Sequence, residues 1–367
     1  MDRRPLDYPF SYVRIKNGGL ALYKSMFGSI PNTLLTLVIL YFLFQVARPL
    51  ADWLVFNSVV LPADARQCLD ANGACWAFVQ LKFRTIIFGR YPTSEQWRPL
   101  LSMSLLIIGL VLTADWRQWS KKYWKKFMCI LWICILIADG TLMTGGLLSL
   151  DYISPDRWSG LPLTLIMAVF GILLAFIVGI FVALGRVSRL PVIRWFCLIY
   201  TELVRGVPLI TLLFMTVIML PILLPEKLEI HKVLEAQLAF VIFFSAYMAE
   251  VFRGGLQSLP RGQFEASLAL GMGYYNTVRK IIFPQVFRLT IPSTVNTLIN
   301  AFKDTSLVVI ISMLDLLGTT QAVIKDPAWF GIFMEAYIFT AFIYFIFCAT
   351  LSWYSQRLER HFRLSRR

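Results

Sequence analysis

Two patterns in this chain set polar and charged side chains where they could act together. Asn296, Asn300 and Asp304 recur every four residues, so a helix carries them on one face, with Thr297, Lys303, Thr305 and Ser306 close by. Glu202-Leu203-Val204-Arg205-Gly206 and Glu250-Val251-Phe252-Arg253-Gly254 both read E-x-x-R-G. On a helix, Glu and Arg three residues apart share a face and can pair. The glycine that follows lets the backbone bend, and Pro208 adds a break after the first copy. The chemistry on offer is ion pairing, hydrogen bonding to a polar ligand and helix bending. Nothing stands out as a catalytic residue. The only histidines are His231 and His361, and with this cysteine spacing they do not make a zinc site. No GxxxxGK[ST] phosphate loop occurs, so the chain is read as having no ATP-binding site and no enzymatic activity of its own.

Composition says which elements hold these residues. Of 367 residues, 58% are hydrophobic and 15% charged, and the mean hydropathy is +0.67. Soluble domains carry about 25% charged residues, so the solvent here is the bilayer. A spanning helix needs about 20 mostly apolar residues. Eight segments approach that: 30–47, 100–114, 127–147, 161–185, 207–224, 236–252, 289–313 and 332–353. The second is short, and Lys303 and Asp304 interrupt the seventh. In lipid, backbone groups must find partners within the segment, so each must be helical. The fold class expected is an all-α integral membrane protein with about eight transmembrane helices. Segment 30–47 follows a basic tail and lacks a small-residue cleavage site, and reads as an anchor.

Three local features refine this. Gly171, Ala175, Gly179 and Ala183 fall at four-residue steps in the fourth span, a stripe that lets two helices approach closely. The apolar run after Pro191 is too long for one straight span, so 191–206 reads as an interfacial helix turning into the membrane at Val207. Glu202, Arg205, Gly206, Pro208, Glu250 and Arg253 then meet one boundary, either as an inner gate or as interfacial ion pairs with snorkelling arginines. Asp139, in the third span, is expected to pack between helices.

Charge gives an orientation. The net charge of +14 could suggest nucleic acid, but Lys and Arg gather on the cytoplasmic side of membrane proteins. With the N-terminus inside, 24 of the 35 Lys and Arg fall in inside segments and 11 in outside ones. Both termini and the segment 253–288 are then cytoplasmic. Cys68 and Cys75 lie in the outer loop 48–99, where an oxidising compartment favours a bridge over two buried thiols. The chain is expected to divide near residue 155, into 1–155 with three spans and 156–367 with five.

The segment 250–284 reads EVFRGGLQSLPRGQFEASLALGMGYYNTVRKIIFP. Pro260 suits the first turn of a helix, Glu265 complements its dipole, and Gly271 and Gly273 can end it with positive φ. A second helix, 274–283, is expected to stop at Pro284. The string Glu265-Ala266-Ser267, then Gly271 after three residues, then Ile281 and Pro284, resembles the EAA signature of ABC importer permeases, with Ser267 for the usual Ala and Phe283 for Leu. With Arg205-Gly206-Val207-Pro208-Leu209 and Lys303-Asp304-Thr305-Ser306-Leu307, residues 156–367 resemble a permease of the polar amino acid uptake branch. By general layout, the three-span extension is similar to general L-amino-acid permease subunits.

The resemblance implies a type I ABC importer permease core in the last five spans, in the bacterial inner membrane, carrying L-amino acids. It implies ATP-binding cassette ATPase subunits gripping the Glu265 helix, a second permease (related or identical) and a periplasmic amino-acid-binding protein. ATP and Mg are then used by the partner ATPase, with no cofactor on this chain. A zwitterionic substrate needs an acceptor for its ammonium, which Asp304 could be, and a donor for its carboxylate, which Lys303 could be. The alternative is that Asp304 satisfies backbone amides freed at a helix break. Two other functions stay open from residues alone: an ion-driven secondary carrier, and a membrane-anchored assembly or receptor subunit using loop 48–99.

Overall fold

The computed structural model describes residues 18–119, 121–146, 149–225 and 230–364. The basic tail 1–17, which enters the orientation count, lies outside them. Compactness divides the chain into Met1–Ala77 and Phe78–Arg367. This division does not coincide with the one expected near residue 155.

In the first unit, helix α1 (Ile30–Ala51) starts at Ser29, whose hydroxyl accepts from the Asn32 N–H. Its apolar side chains stand bare almost throughout, as lipid-facing residues do. Cys68 and Cys75 are joined by a disulfide with Cα atoms 5.4 Å apart, so the bridge favoured from their loop position forms. The Trp76 indole N–H donates to the Leu54 carbonyl at 2.9 Å and ties the loop back to the end of the span.

Within the expected outer loop 48–99, α2 (Trp76–Phe88) is a helix that hydropathy did not reveal. Then come α3 (Trp97–Ala114), α4 (Lys122–Thr144), α5 (Gly160–Arg186), α6 (Pro191–Gly206), α7 (Leu209–Phe214) and α8 (Lys232–Gln257). The loop helices α9 (Gly262–Ala269) and α10 (Tyr274–Thr277) lead to α11 (Phe283–Asp304), α12 (Leu316–Val323) and α13 (Met334–Leu364). Among the described residues, six helices are long and apolar enough to cross a membrane, and α6 with its continuation to Leu223, bent by 104°, makes a seventh candidate. The expected seventh span, 289–313, corresponds to α11, a 22-residue helix too polar to pass as a lipid-exposed span. The 104° bend at Val207 and Pro208 is the turn expected there.

The small-residue stripe does what its spacing implies. Gly171, Ala175, Gly179 and Ala183 are all buried on α5, against α8. A Cβ on Gly179 would run into Met248 and the Ser245 carbonyl of α8. Asp139 is buried on α4, which pairs with α3.

One expectation fails at Pro284. The second loop helix does not stop there, because Tyr274–Thr277 passes through a π-turn, Val278–Ile282, straight into α11. Pro284 falls in the first turn of α11, where a missing N–H costs least, and the wider π-turn sits just before it. The loop is therefore continuous with the polar helix that follows it.

Candidate functional site

The tip of the loop is built by local rules. Its first turn forms on Pro260, whose carbonyl accepts from the Gln263 N–H at 3.2 Å. It closes with a left-handed residue: Gly271 has φ +75°, its N–H donates to Leu268 O at 2.9 Å, and the Met272 N–H reaches Ser267 O at 3.0 Å. This is the Schellman arrangement. A Cβ on Gly271 would meet nothing within 4 Å, so the glycine is there for its backbone angle and not for space. Gly273 instead has φ −65° and caps α10 in extended conformation, so of the two glycines only Gly271 takes the expected role.

Ser267 is buried, and its hydroxyl bonds the Phe264 carbonyl at 2.8 Å and the Thr277 hydroxyl at 3.0 Å. It pins α9 to α10 and is not a contact surface. Glu265, Ala266 and Gly271 are exposed. Around them Leu268, Leu270, Tyr274 and Tyr275 are bare, Leu270 at 81%. An apolar patch rimming a single carboxylate is the anatomy of a protein-docking surface.

The tip rests on a packed joint. Ile281 is half-buried, and Ile282 and Val286 are buried with Ala183 of α5 and with Met248, Ala249 and Phe252 of α8. Gln285 donates to Gln263 Oε1 at 2.6 Å, joining α11 to α9. α11 and α8 come together at Gly255, where any Cβ would press on Thr290 and Val286. Displacement of the tip thus reaches α5, α8 and α11 at once.

The two E-x-x-R-G strings meet at this level, but not in the pairs expected. Glu250 and Arg253 pair along α8, Arg253 Nε donating at 3.0 Å. Glu202 and Arg205 do not pair with each other. Glu202 accepts from Arg186 at 3.2 Å, and Arg205 lies 3.6 Å from Glu250. Arg186, at the end of α5, also donates to Glu250 at 2.7 Å, so it links both strings. A planar guanidinium fork can bridge two carboxylates in this way. The glycines do not bend their helices: Gly206 is the last residue of α6, with the break at Val207 and Pro208, and Gly254 lies inside α8. Arg205 also lies over the Tyr247 ring, 5.7 Å from its centroid.

A cleft of about 540 Å³ opens between α8 and α11 beside this cluster, lined by Arg205, Tyr247, Glu250, Thr290, Ser293 and Thr297, among others. Above it Asn296, Asn300 and Lys303 are exposed on α11 and Asp304 is half-buried. Asp304 ends α11 and starts a 3-10 turn, Thr305–Ile311, yet its carboxylate makes no cap hydrogen bond there. Satisfying freed amides is therefore not its role in this geometry. Thr305 is buried and donates to the Phe302 carbonyl, and Ser306 donates to the Lys303 carbonyl, both at 2.8 Å. These two hydroxyls hold the break, while Asn296, Asn300, Lys303 and Asp304 keep polar atoms available.

No sequence pattern pointed to Arg186 or Gly255. Arg186 ends an apolar span, where a snorkelling arginine is ordinary, and nothing in its spacing connects it to residues 202 or 250.

Comparison with known proteins adds a family. Residues 175–364 match the model of the binding-protein-dependent transport system inner membrane component. The chain is 41% identical over 349 residues to the inner membrane amino-acid ABC transporter permease protein YhdY of Escherichia coli (strain K12), covering 94% of this chain and 92% of that one. It is 32% identical over 406 residues to the glutamate/glutamine/aspartate/asparagine transport system permease protein BztC of Rhodobacter capsulatus, covering 94% and 93%. The glutamate/aspartate import permease protein GltK of Escherichia coli O6:H1 is 32% identical over 211 residues, 56% of this chain and 93% of that one.

Proposed function

The chain belongs to the family of binding-protein-dependent transport system inner membrane components, and on that premise we propose that it imports L-amino acids across the bacterial inner membrane, driven by a separate ATPase. It is a multi-pass ABC transporter permease, a transport component. Residues 156–367 form the permease domain. Residues 1–155 form an extension shared with YhdY and BztC, whose alignments cover 94% of this chain. Both termini and the loop 253–288 face the cytoplasm, where the loop meets ATP-binding cassette subunits that bind ATP and Mg. A second permease, identical or related, completes the path, and a periplasmic amino-acid-binding protein supplies substrate.

The observation that carries this reading is the construction of the loop tip. Glu265 stands exposed among bare Leu268, Leu270 and Tyr275, on a joint that packs into three long helices. Ala266 and Gly271 complete the docking face, Ser267 holds it in shape, and Ile281 and Pro284 pass its movement into α11. Glu202, Arg205, Glu250 and Arg253, with Arg186, form an inner gate whose ion pairs re-form as the helices shift. Asn296, Asn300, Lys303 and Asp304 line the substrate path, Asp304 accepting from the ammonium and Lys303 donating to the carboxylate.

The test is Glu265→Arg in the assembled complex in proteoliposomes. Reversing the carboxylate charge of the docking face lowers binding-protein-stimulated ATP hydrolysis and uptake at least about tenfold, as loss of an interface hot spot does, while the complex still inserts. Normal uptake by this variant counts against the coupling role.

A further inference from the structure

Where α5 turns into α6, on the side of the arginine cluster away from the α8–α11 cleft, lies a second cleft of about 310 Å³. It is lined by Arg186, Arg194, Trp195, Leu198, Arg253 and Gln257. A guanidinium carries five N–H donors. Arg186 spends two on Glu250 and Glu202, and Arg253 spends three on Glu250 and Gln257. The Arg194 side chain is exposed and makes no hydrogen bond or ion pair with any described residue, and the same holds for the side chain of Arg189 in the turn before it. Four arginines (Arg186, Arg194, Arg205 and Arg253) face two carboxylates, Glu202 and Glu250, so two positive charges are left unbalanced.

Beside this basic cleft, α6 turns an apolar stripe outward. Val192, Trp195, Phe196, Ile199 and Leu203 follow helical spacing and are all exposed, Val192 at 80%. The buried face of the same helix is Cys197, Thr201 and Val204. A free inorganic anion could use the arginines but leaves the stripe bare. A membrane lipid satisfies both, with its phosphate on the arginines and its acyl chains along the stripe, and Trp195 at the level where indoles sit in bilayers.

We propose that the Arg186–Arg194–Arg253 cleft binds the phosphodiester headgroup of an anionic phospholipid of the leaflet that meets α6. Occupancy adds a third anion to the arginine cluster, so the lipid competes with Glu202 and Glu250 for Arg186 and Arg253 and biases the gate. The proposal rests on this end lying at a membrane boundary. It needs neither transport nor the ATPase.

The test uses the full chain in nanodiscs of phosphatidylcholine doped with brominated phosphatidylglycerol or brominated phosphatidylcholine. Bromine quenches nearby indoles, and subtracting the signal of Trp195→Phe isolates Trp195. Two unpaired arginines correspond to half-quenching by brominated phosphatidylglycerol at about thirtyfold lower mole fraction than by the choline lipid. Arg189→Gln/Arg194→Gln brings the two lipids within about twofold of each other, and Arg189→Lys/Arg194→Lys keeps most of the preference. Equal quenching of the wild type by both lipids overturns the headgroup site while leaving the boundary placement intact. No quenching by either overturns the placement and the proposal together. Loss of the preference on adding excess inorganic phosphate assigns the cleft to a free anion and overturns the lipid.

Discussion

At the loop end of the Phe78–Arg367 unit the key contacts are shared charges, and at the opposite end they are hydrogen bonds that each tie a side chain to a backbone group or to one other side chain. Arg98 is wholly buried and donates to the carbonyls of Leu142 at 2.7 Å and Asp151 at 3.0 Å. The Ser159 hydroxyl accepts from the Arg90 N–H at 2.7 Å, and Thr319 donates to Ile86 O at 2.7 Å. Asp315 accepts from the Gly318 N–H at 2.8 Å and from the Tyr344 hydroxyl at 2.9 Å. Burial pushes the Tyr91 phenol up to about 12, so at neutral pH it stays a donor to the Met143 carbonyl. At the other end, Glu250 is shared by Arg186, Arg205 and Arg253, and every one of these four side chains has some access to solvent. A backbone carbonyl in a packed loop offers one position, whereas an arginine fork can trade carboxylates at small cost. One end is built as a clamp and the other as a joint. The coupling role proposed for the loop tip needs both.

The largest effect expected from this contrast is in stability. Arg98→Ala empties a wholly buried site, removes the donor to the Asp151 carbonyl and leaves the Leu142 carbonyl only the longer bond from the Tyr91 hydroxyl, and costs about 3 kcal/mol or more, read as a fall in the unfolding midpoint of the purified chain. Arg253→Ala at the joint removes a partly exposed ion pair and costs about 1 kcal/mol or less. Comparable losses for the two variants break the contrast.

Two left-handed glycines sharpen it at smaller cost. Gly160, at φ +71°, starts α5 where an added Cβ would fall on the Ile87 carbonyl, so Gly160→Ala adds a clash to the strain of its φ. Gly271, at φ +75°, has open space around it, so Gly271→Ala carries only the backbone strain, about 1–2 kcal/mol. Gly160→Ala should lower global stability. Gly271→Ala should leave global stability nearly unchanged while speeding amide hydrogen exchange in α9 and weakening stimulated ATP hydrolysis. Asn tolerates left-handed angles, so Gly271→Asn retains more coupling than Gly271→Ala.

How much of this was legible depends on whether the information was local. The α5 stripe, the turn at Val207 and the Gly271 cap were readable because each depends on neighbours a few residues away. The clamp was not. α2 is 13 residues long and broken by Lys82 and Arg84, too short and too charged to read as a span, and it is held by distant partners: Phe78 packs at a tilt against Trp329 with ring centroids 5.6 Å apart, and Thr319 reaches Ile86. The joint was half legible. The acidic and basic residues of both E-x-x-R-G strings were visible, but helical spacing pairs Glu202 with Arg205, and only tertiary contact brings Arg186 between the strings. Pro284 was misread because a proline stops a helix only when its N–H is needed, and the π-turn before it changes that need.

The smallest effect concerns the one ion pair described on the clamp side that is both long-range and solvent-accessible. Lys82 of α2 donates to Asp326, beside α12, at 2.6 Å, with both side chains about a third exposed. The Lys82 ammonium, with help from the Ala328 N–H, holds the Asp326 carboxyl below the usual carboxylate range. A lowered folded-state value means that the unfolded chain takes up the proton first as pH falls. The pair's contribution is therefore full above about pH 4, the ordinary aspartate value, and is lost as pH drops through the lowered one. Lys82→Gln should be nearly neutral in this acid range and reveal its small deficit only at higher pH. The difference in unfolding midpoint between wild type and Lys82→Gln, followed from pH 7 downward, should thus shrink below about pH 4. A difference that stays constant across that range assigns α2 docking to the tilted Phe78–Trp329 ring contact and the Thr319 bond, which do not titrate there, and makes the clamp still less dependent on charge.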